Sequence, residues 1–301
     1  MAGEVIVSVV VPVYEGMAAL GRCLDALDRQ SHAAYEVIVV DNGGNPGIDR
    51  LCEGRKPVRL CHHRSPGSYS ARNAGIALAQ GQILAFTDAD CVPDQHWVRN
   101  GAAGMIRNSC RMAGGCIEPS FEHEGKPSTI ELCDVILHTM NQEQMLRECT
   151  SLGCANMFVH RTLFESIGMF NGALYSGGDC EFTYRAHKQQ ESIAYLEDAF
   201  VFHRARRTLK ELSQRYRRFA GAEFASKTAK SAQEPVRQIR SASFRYRIGL
   251  CLGNIFHGVW KHRHERNSLV LLPTLLLVES YITTMKTIEY ARLGLGKEMQ
   301  R

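Results

Sequence analysis

Within the first 110 residues, near-continuous apolar strands alternate with helix-length segments, and this restricts the fold more than any other feature. Val5–Val13 is almost entirely β-branched, interrupted only by Ser8 and Pro12. A strand without polar alternation is buried on both faces, as in a parallel sheet covered by helices. Glu36–Val40 repeats the pattern and runs into Asp41, Val58–Cys61 is a shorter third strand, and Gln82–Thr87 is a fourth that runs into Asp88. After the first strand, Leu20, Leu24 and Leu27 share one helical face. Ser70–Ala79 reads as a second helix, with a Ser at its start and Gly81 just past its end. Gly43-Gly44-Asn45-Pro46-Gly47 is a turn cluster. This order predicts an α/β fold with a mostly parallel central sheet flanked by helices. Ligands of such sheets bind beyond the carboxyl ends of the strands. Tyr14, Glu15, Asp41 and Asp88 each follow a strand and are expected to converge on one edge.

Beyond residue 110 the expected strands are Arg111–Ile117, Asn156–Val159, Ser192–Leu196 and Ala199–His203, with helices near 128–147 and 180–190. From about 207 the chain reads as helical and basic. Leu209, Leu212, Tyr216 and Phe219 form one apolar stripe there, with Arg215, Arg217 and Arg218 off it. Ala229–Glu234 reads as a linker. The expected organisation is therefore a catalytic-type domain over 1–206, with halves 1–110 and 111–206, followed by a helical extension over 207–301. Residues 1–202 carry 16 Lys/Arg against 24 Asp/Glu, and residues 203–301 carry 20 against 7. A basic tail on an acidic body suits contact with phosphate on lipid or nucleic acid, or a solvated helical face. The tail has no nucleic-acid motif or interleaved aromatics, which argues against nucleic acid.

Composition excludes several classes. With 45% hydrophobic and 22% charged residues, the chain is not predominantly disordered. Eleven cysteines without a C-x-x-C pair give no zinc framework and fit free thiols in a reducing cytosol. Met1-Ala2-Gly3-Glu4 lacks the basic start of a signal peptide. The longest apolar run, Leu269–Val278, is ten residues with Pro273 inside, shorter than a bilayer span. The expected location is cytoplasmic, with peripheral attachment to the inner face of a membrane through the tail.

Asp88-Ala89-Asp90 places two carboxylates at i and i+2 just past a buried strand, an arrangement that a cation stabilises. Hard oxygen ligands suit Mg²⁺ or Mn²⁺, which also bind phosphates; a strand-end turn is the plainer reading. Asp41 either opens the turn before Asn42-Gly43 or accepts a hydrogen bond from a base or ribose. Arg72 and Asn73, read in the first turn of a helix, lie where anions bind. Asp179, after Gly177-Gly178, is either a helix cap or a general base, with Glu181 a further carboxylate. His203 ends a strand before Arg204, Arg206 and Arg207, a grouping that suits a metal and a diphosphate.

In order along the chain, several segments together resemble family 2 glycosyltransferases of the GT-A fold. They are Val9-Val10-Val11-Pro12-Val13-Tyr14, Glu36–Asp41, Ala71-Arg72-Asn73-Ala74-Gly75 and Phe86-Thr87-Asp88-Ala89-Asp90. Further on come Cys154-Ala155-Asn156-Met157-Phe158, Phe164 to Phe170 with Gly168, and Gly178-Asp179-Cys180-Glu181-Phe182 with Arg185. The match covers about residues 5–205. It implies a nucleotide pocket lined by Pro12, Tyr14 and Glu15, with Asp41 on the base, usually uracil, and Arg72 on the nucleotide. It also implies that Asp88 faces the ribose, that Asp90 and His203 hold Mn²⁺ or Mg²⁺, and that Asp179 is the catalytic base of an inverting transfer. Asn156, Gly178 and Glu181 fall in the matching segments as secondary or acceptor-side positions. Two departures stand out: Glu15 where the family often has Asn, and Gly178 where it often has Glu before the Asp.

The implied partners are a nucleotide-sugar donor, a glycan or lipid-linked acceptor, and either an anionic membrane surface or a second copy of the chain met through 207–301. A nucleotidyltransferase would carry a Gly-rich basic loop after the first strand, where this chain has Pro12-Val13-Tyr14-Glu15-Gly16. A dinucleotide-binding dehydrogenase would need G-x-G-x-x-G after a strand, which is missing. A non-catalytic scaffold that keeps the fold would not need the acidic set.

Overall fold

The computed structural model describes residues 6–123, 126–137, 140–228 and 268–297. The segment 229–234, read as a linker, lies outside the described residues. One sheet contains β1 (Val7–Val13), β2 (Tyr35–Asp41), β3 (Val58–His62), β4 (Ile83–Phe86), β5 (Cys91–Pro93), β6 (Met112–Ser120), β7 (Met157–His160) and β8 (Ile193–Arg204). Their order is β3-β2-β1-β4-β7-β6-β8-β5. The first four strands run parallel. The pairs β4–β7, β6–β7 and β5–β8 are antiparallel.

The helices are α1 (Met17–Leu27), α2 (Ile48–Cys52), α3 (Ser68–Leu78), α4 (Trp97–Arg107), α5 (Thr129–Leu137), α6 (Gln142–Cys149), α7 (Arg161–Ile167), α8 (Gly178–Lys188), α9 (Leu209–Thr228) and α10 (Ser268–Gly294). Side chains of β1 alternate between two cores. Val7, Val9, Val11 and Val13 join Leu20, Leu24 and Leu27 of α1. Val10 joins Ile38, Val40 and Ile76, the last from α3. Gly75 sets how closely α3 lies on the sheet, because a Cβ there would stand 2.5 Å from Val10 Cγ1 and 3.2 Å from Val40 Cγ2.

Four elements differ from the sequence expectations. Ser192–Leu196 and Ala199–His203 form one strand, β8, which continues through the acidic pair Glu197-Asp198. The helical stretch 128–147 is divided into α5 and α6, and Asn141 caps α6 by accepting the Gln144 N–H at 2.9 Å. Helix α3 begins at Ser68, two residues earlier than expected. On α9, Leu209 is exposed, while Arg215 is buried and paired with Asp134 at 2.8 Å. The second Asp134 oxygen accepts the Arg206 N–H at 2.8 Å, so this buried guanidinium–carboxylate pair is satisfied.

Contacts divide the chain into two compact units, Met1–Glu118 with Met140–His203, and Pro119–Thr139 with Arg204–Arg301. The first holds both sheet cores. The second has its own cluster, in which Cys133, Ile136 and Leu137 of α5 meet Leu212 and Tyr216 of α9 and Leu275, Val278 and Ile282 of α10.

Candidate active site

Parallel pairing puts the carboxyl ends of β1, β2 and β4 on one edge, so Tyr14, Asp41 and Asp88 leave the sheet together. The turn after β2 is fastened to the end of β1. Asn45 Nδ2 donates to the Tyr14 carbonyl at 3.0 Å, and a Cβ on Gly43 would fall 1.7 Å from that oxygen. Only glycine fits there. Asp41 is buried, and its Oδ1 accepts from the N–H groups of Gly43 (3.2 Å) and Gly44 (3.1 Å) and from Asn45 Nδ2 (2.8 Å). Its Oδ2 accepts from Asn45 N and faces His62 Nδ1, both at 3.2 Å. Burial pushes this carboxyl up, but the hydrogen bonds from Asn45, Gly43 and His62 outweigh it and hold the group below the usual range. The turn-opening role read for Asp41 is therefore present in the geometry.

Asp88 follows Thr87, whose buried hydroxyl donates to the Ala155 carbonyl at 3.0 Å. Asp88 Oδ1 accepts from Arg72 Nη2 at 2.5 Å. Arg72 is 4% exposed and lies 5.5 Å from the centre of the Tyr69 ring, so it is no surface cation. Asp90 Oδ1 stands 3.8 Å from His203 Nε2. The antiparallel register of β5 and β8 pairs Cys91 with His203, which carries that imidazole across to the aspartates. Asp88, Asp90, Cys91 and His203 each present a ligand atom, all within 4.8 Å of one another. Burial, then the neighbouring Asp90 and Asp88, push the Cys91 thiol well above its ordinary range. The two carboxylates and the imidazole are a donor set that fits Mn²⁺ or Mg²⁺.

Asp179 is the second residue of α8, and the cap position belongs to Gly177 in a left-handed conformation, φ 78°. From that first turn the Asp179 carboxylate accepts a free helix N–H, that of Cys180, and reaches two groups of other elements. Its Oδ1 accepts from the Tyr69 hydroxyl at 2.9 Å and Cys180 N at 3.0 Å, and its Oδ2 from Cys154 N at 3.3 Å.

The sequence profile of Glycosyl transferase family 2 matches residues 8–168, more than half the chain. The chain belongs to glycosyltransferase family 2. It is 32% identical over 207 residues to the glycosyltransferase AglE of Haloferax volcanii, covering 66% of this chain and 67% of AglE. Other relatives are much longer than the match, and the chain spans 13% of one from Rickettsia bellii. Among solved structures it is similar to the mannosyltransferase PcManGT of Pyrobaculum calidifontis in complex with GDP-Man and Mn²⁺. The TM-score is 0.59 at 19% identity, covering 99% of this chain and 89% of that one. It is also similar to S. aureus TarS 1–349 in complex with UDP-GlcNAc, with a TM-score of 0.56 at 16% identity over 97% and 92% of the two chains. These likenesses show the GT-A fold, and the family makes the protein a transferase.

The remaining candidates of this glycosyltransferase are placed as follows. Pro12 is half-buried at the end of β1, and Tyr14 and Glu15 are exposed just beyond it. Glu181 is gripped by Arg185 through two bonds of 2.7 and 3.1 Å. Arg185 also donates to the carbonyls of Ile167 and Met169, so the Glu181 carboxylate anchors the loop that follows α7. Asn156 is fully buried, with Nδ2 donating to the Cys116 (2.7 Å) and Ala199 (2.8 Å) carbonyls and Oδ1 accepting from Trp97 Nε1 (2.8 Å). It ties β6, β8 and α4 together. Replacing Asn156 with Ala strands those three buried groups, and at about 1–3 kcal/mol for each the total loss should be on the order of 4 kcal/mol. Urea unfolding followed by circular dichroism reads that loss; a midpoint unchanged from wild type would contradict it.

Two neighbours of the site were not read from the sequence. Cys91 belongs to a three-residue edge strand too short for a periodic signal. Tyr69 fell outside the helix as first bounded. With α3 starting at Ser68, Tyr69 and Arg72 are three residues apart on one helical face, and Gly67 just before Ser68 was the available signal.

Proposed function

We propose that this enzyme moves a sugar from a nucleotide-diphosphate sugar, a UDP-sugar, to a hydroxyl of a glycan or lipid-linked acceptor, with inversion and with Mn²⁺ or Mg²⁺. The observation that carries this reading is the gathering of Asp88, Asp90 and His203 within 4.8 Å, with Arg72 fastened to Asp88. Pro12, Tyr14 and Glu15 line the nucleotide pocket, and the Asp41 turn shapes the place of the base. Asp88 faces the ribose, and Asp90 with His203 holds the cation. When bound, the cation neutralises charge on the departing diphosphate. Arg72 adds positive charge on the same side.

Asp179 takes the proton of the acceptor hydroxyl as that oxygen bonds to the anomeric carbon. The bond from this carbon to the phosphate oxygen breaks on the opposite face, and its electron pair leaves with the nucleoside diphosphate. One displacement inverts the configuration and leaves no covalent enzyme intermediate. A thermal-shift screen of UDP- and GDP-sugars with Mn²⁺ tests the donor. At a hundredfold excess over Kd, ligand linkage of about 2.7 kcal/mol should raise Tm by roughly 5–10 °C. A response to GDP-sugars alone would remove the UDP assignment, and no response to any sugar would remove the donor reading.

For the acceptor side, we infer that 207–301 meets an anionic membrane surface. Residues 203–301 carry 20 Lys/Arg against 7 Asp/Glu, and α10 exposes Leu276 (57%) and Leu277 (71%). Among the described residues no helix is long and apolar enough to cross a membrane. Co-sedimentation with phosphatidylglycerol vesicles at low salt should pull the protein down. A supernatant-only protein of doubled mass would replace this with a homodimer.

A further inference from the structure

We propose that Tyr69 is a positioning residue that fixes the Asp179 carboxylate, and that Gly178 is glycine because the Tyr69 ring occupies the space beside it. This inference rests on the reading of Asp179 as the base. The Tyr69 side chain is buried, and its hydroxyl donates to Asp179 Oδ1 at 2.9 Å. Its ring forms one wall of Gly178: a Cβ there would lie 2.7, 2.8 and 2.9 Å from Cδ2, Cε2 and Cγ of that ring. A larger residue before Asp179 would therefore displace the ring together with its hydroxyl. This accounts for the departure at 178, where glutamate is common in relatives.

The ring has two further neighbours. Arg72 lies over it at 5.5 Å, and Phe170 packs at a centroid distance of 5.9 Å. Arg72 is in turn bonded to Asp88. Four side chains thus run without a break from Asp88 through Arg72 and Tyr69 to Asp179, joining the carboxylate on the donor side to the carboxylate that takes the acceptor's proton. Burial, then the charge of Asp179, push the Tyr69 hydroxyl well above its ordinary range. It serves as a hydrogen-bond donor to Asp179.

Tyr69→Phe removes the hydroxyl and keeps the ring. The probe is the nucleotide sugar that raises Tm, with Mn²⁺ and water as acceptor, read as nucleoside diphosphate release. We expect kcat to fall about 10- to 100-fold, as for a misplaced catalytic group, with donor affinity within twofold of wild type. An unchanged kcat overturns the proposal. So does an equal loss of kcat and donor affinity, which would put the effect on Arg72. Asp179→Asn in the same assay tests the base separately: near-normal release there removes the base reading whatever Tyr69→Phe does.

A stability cycle needs no donor. Tyr69→Phe should lower Tm by about 4 °C in wild type and by nothing in Asp179→Ala, where the hydroxyl has lost its acceptor. Equal losses in both backgrounds overturn the contact. Gly178→Ala in the Tyr69 protein should likewise lower kcat with donor affinity kept, so it provides the same readout if Tyr69→Phe does not fold, and an unchanged kcat there overturns the proposal.

Discussion

Asp179→Asn is expected to lower transfer about 10²- to 10⁴-fold while leaving donor affinity unchanged. The substitution keeps the size of the side chain, and its one remaining oxygen can still accept from the Tyr69 hydroxyl, which bonds Asp179 Oδ1 at 2.9 Å, at the expense of the longer 3.3 Å bond from Cys154 N to Oδ2. What it loses is the ability to take a proton. The effect should therefore fall on kcat, as for an interaction made only in the transition state. Donor binding read by thermal shift and turnover read by diphosphate release separate the two. Near-normal turnover would remove Asp179 as the base. Glu181→Gln is the useful contrast. Its carboxylate is paired with Arg185, which also holds the carbonyls of Ile167 and Met169. That change should lower stability and leave the ratio of turnover to donor affinity near wild type.

The parts of the fold legible in the sequence are those whose side chains have a single environment. β1, β2 and β4 are buried along most of their length, so their Val, Ile and Leu carry the strand signal despite Ser8 and Pro12 in β1. β8 is different. Leu196, Ala199, Val201 and His203 point inward while Phe200 and Phe202 are exposed, and the Glu197-Asp198 pair imitates a turn. The strand nevertheless runs through that pair, in a β8 that lies between β6 and β5 in the sheet. On α9 the apolar stripe predicts Leu209 inside and Arg215 outside; Leu209 is exposed, and the buried Asp134 carboxylate draws Arg215 in.

The same distinction separates the site residues. Asp41, Asp88 and His203 are announced by their position at or just past strand ends, which needs only the strand to be found. Tyr69 and Cys91 act through neighbours distant in the chain, Asp179 for one and His203 for the other. Their sequence context is an ordinary helix start and an ordinary short strand. The antiparallel pairing of β5 with β8, which places Cys91, has no periodic signature that distinguishes its register.

Asp90→Asn is expected to abolish cation-dependent stabilisation, whereas Asp88→Asn should weaken the fold more than it weakens cation binding. The two aspartates differ in what already balances their charge. Asp88 is bonded at 2.5 Å to Arg72, a guanidinium buried except for 4% of its surface. Neutralising Asp88 leaves that cation with a poorer partner, at a cost of about 1–2 kcal/mol, reduced from the fully buried case because Asp88 is 34% exposed. Asp90 faces His203 at 3.8 Å, an imidazole that can join it in holding a cation. Losing its charge removes a ligand outright. Mn²⁺ affinity, read by electron paramagnetic resonance of the free ion, should fall on the order of 100-fold or more. Diphosphate release should drop by several kcal/mol of barrier, roughly 10³-fold. Equal Mn²⁺ affinities for the two variants would mean that the pair acts as one bidentate clamp, and the separate roles given to Asp88 and Asp90 would fall. A full loss of Mn²⁺ binding in Asp88→Asn with Asp90→Asn unaffected would exchange the two assignments. The Arg72–Asp88 bond makes the two substitutions inequivalent as long as the cation leaves that arginine on Asp88.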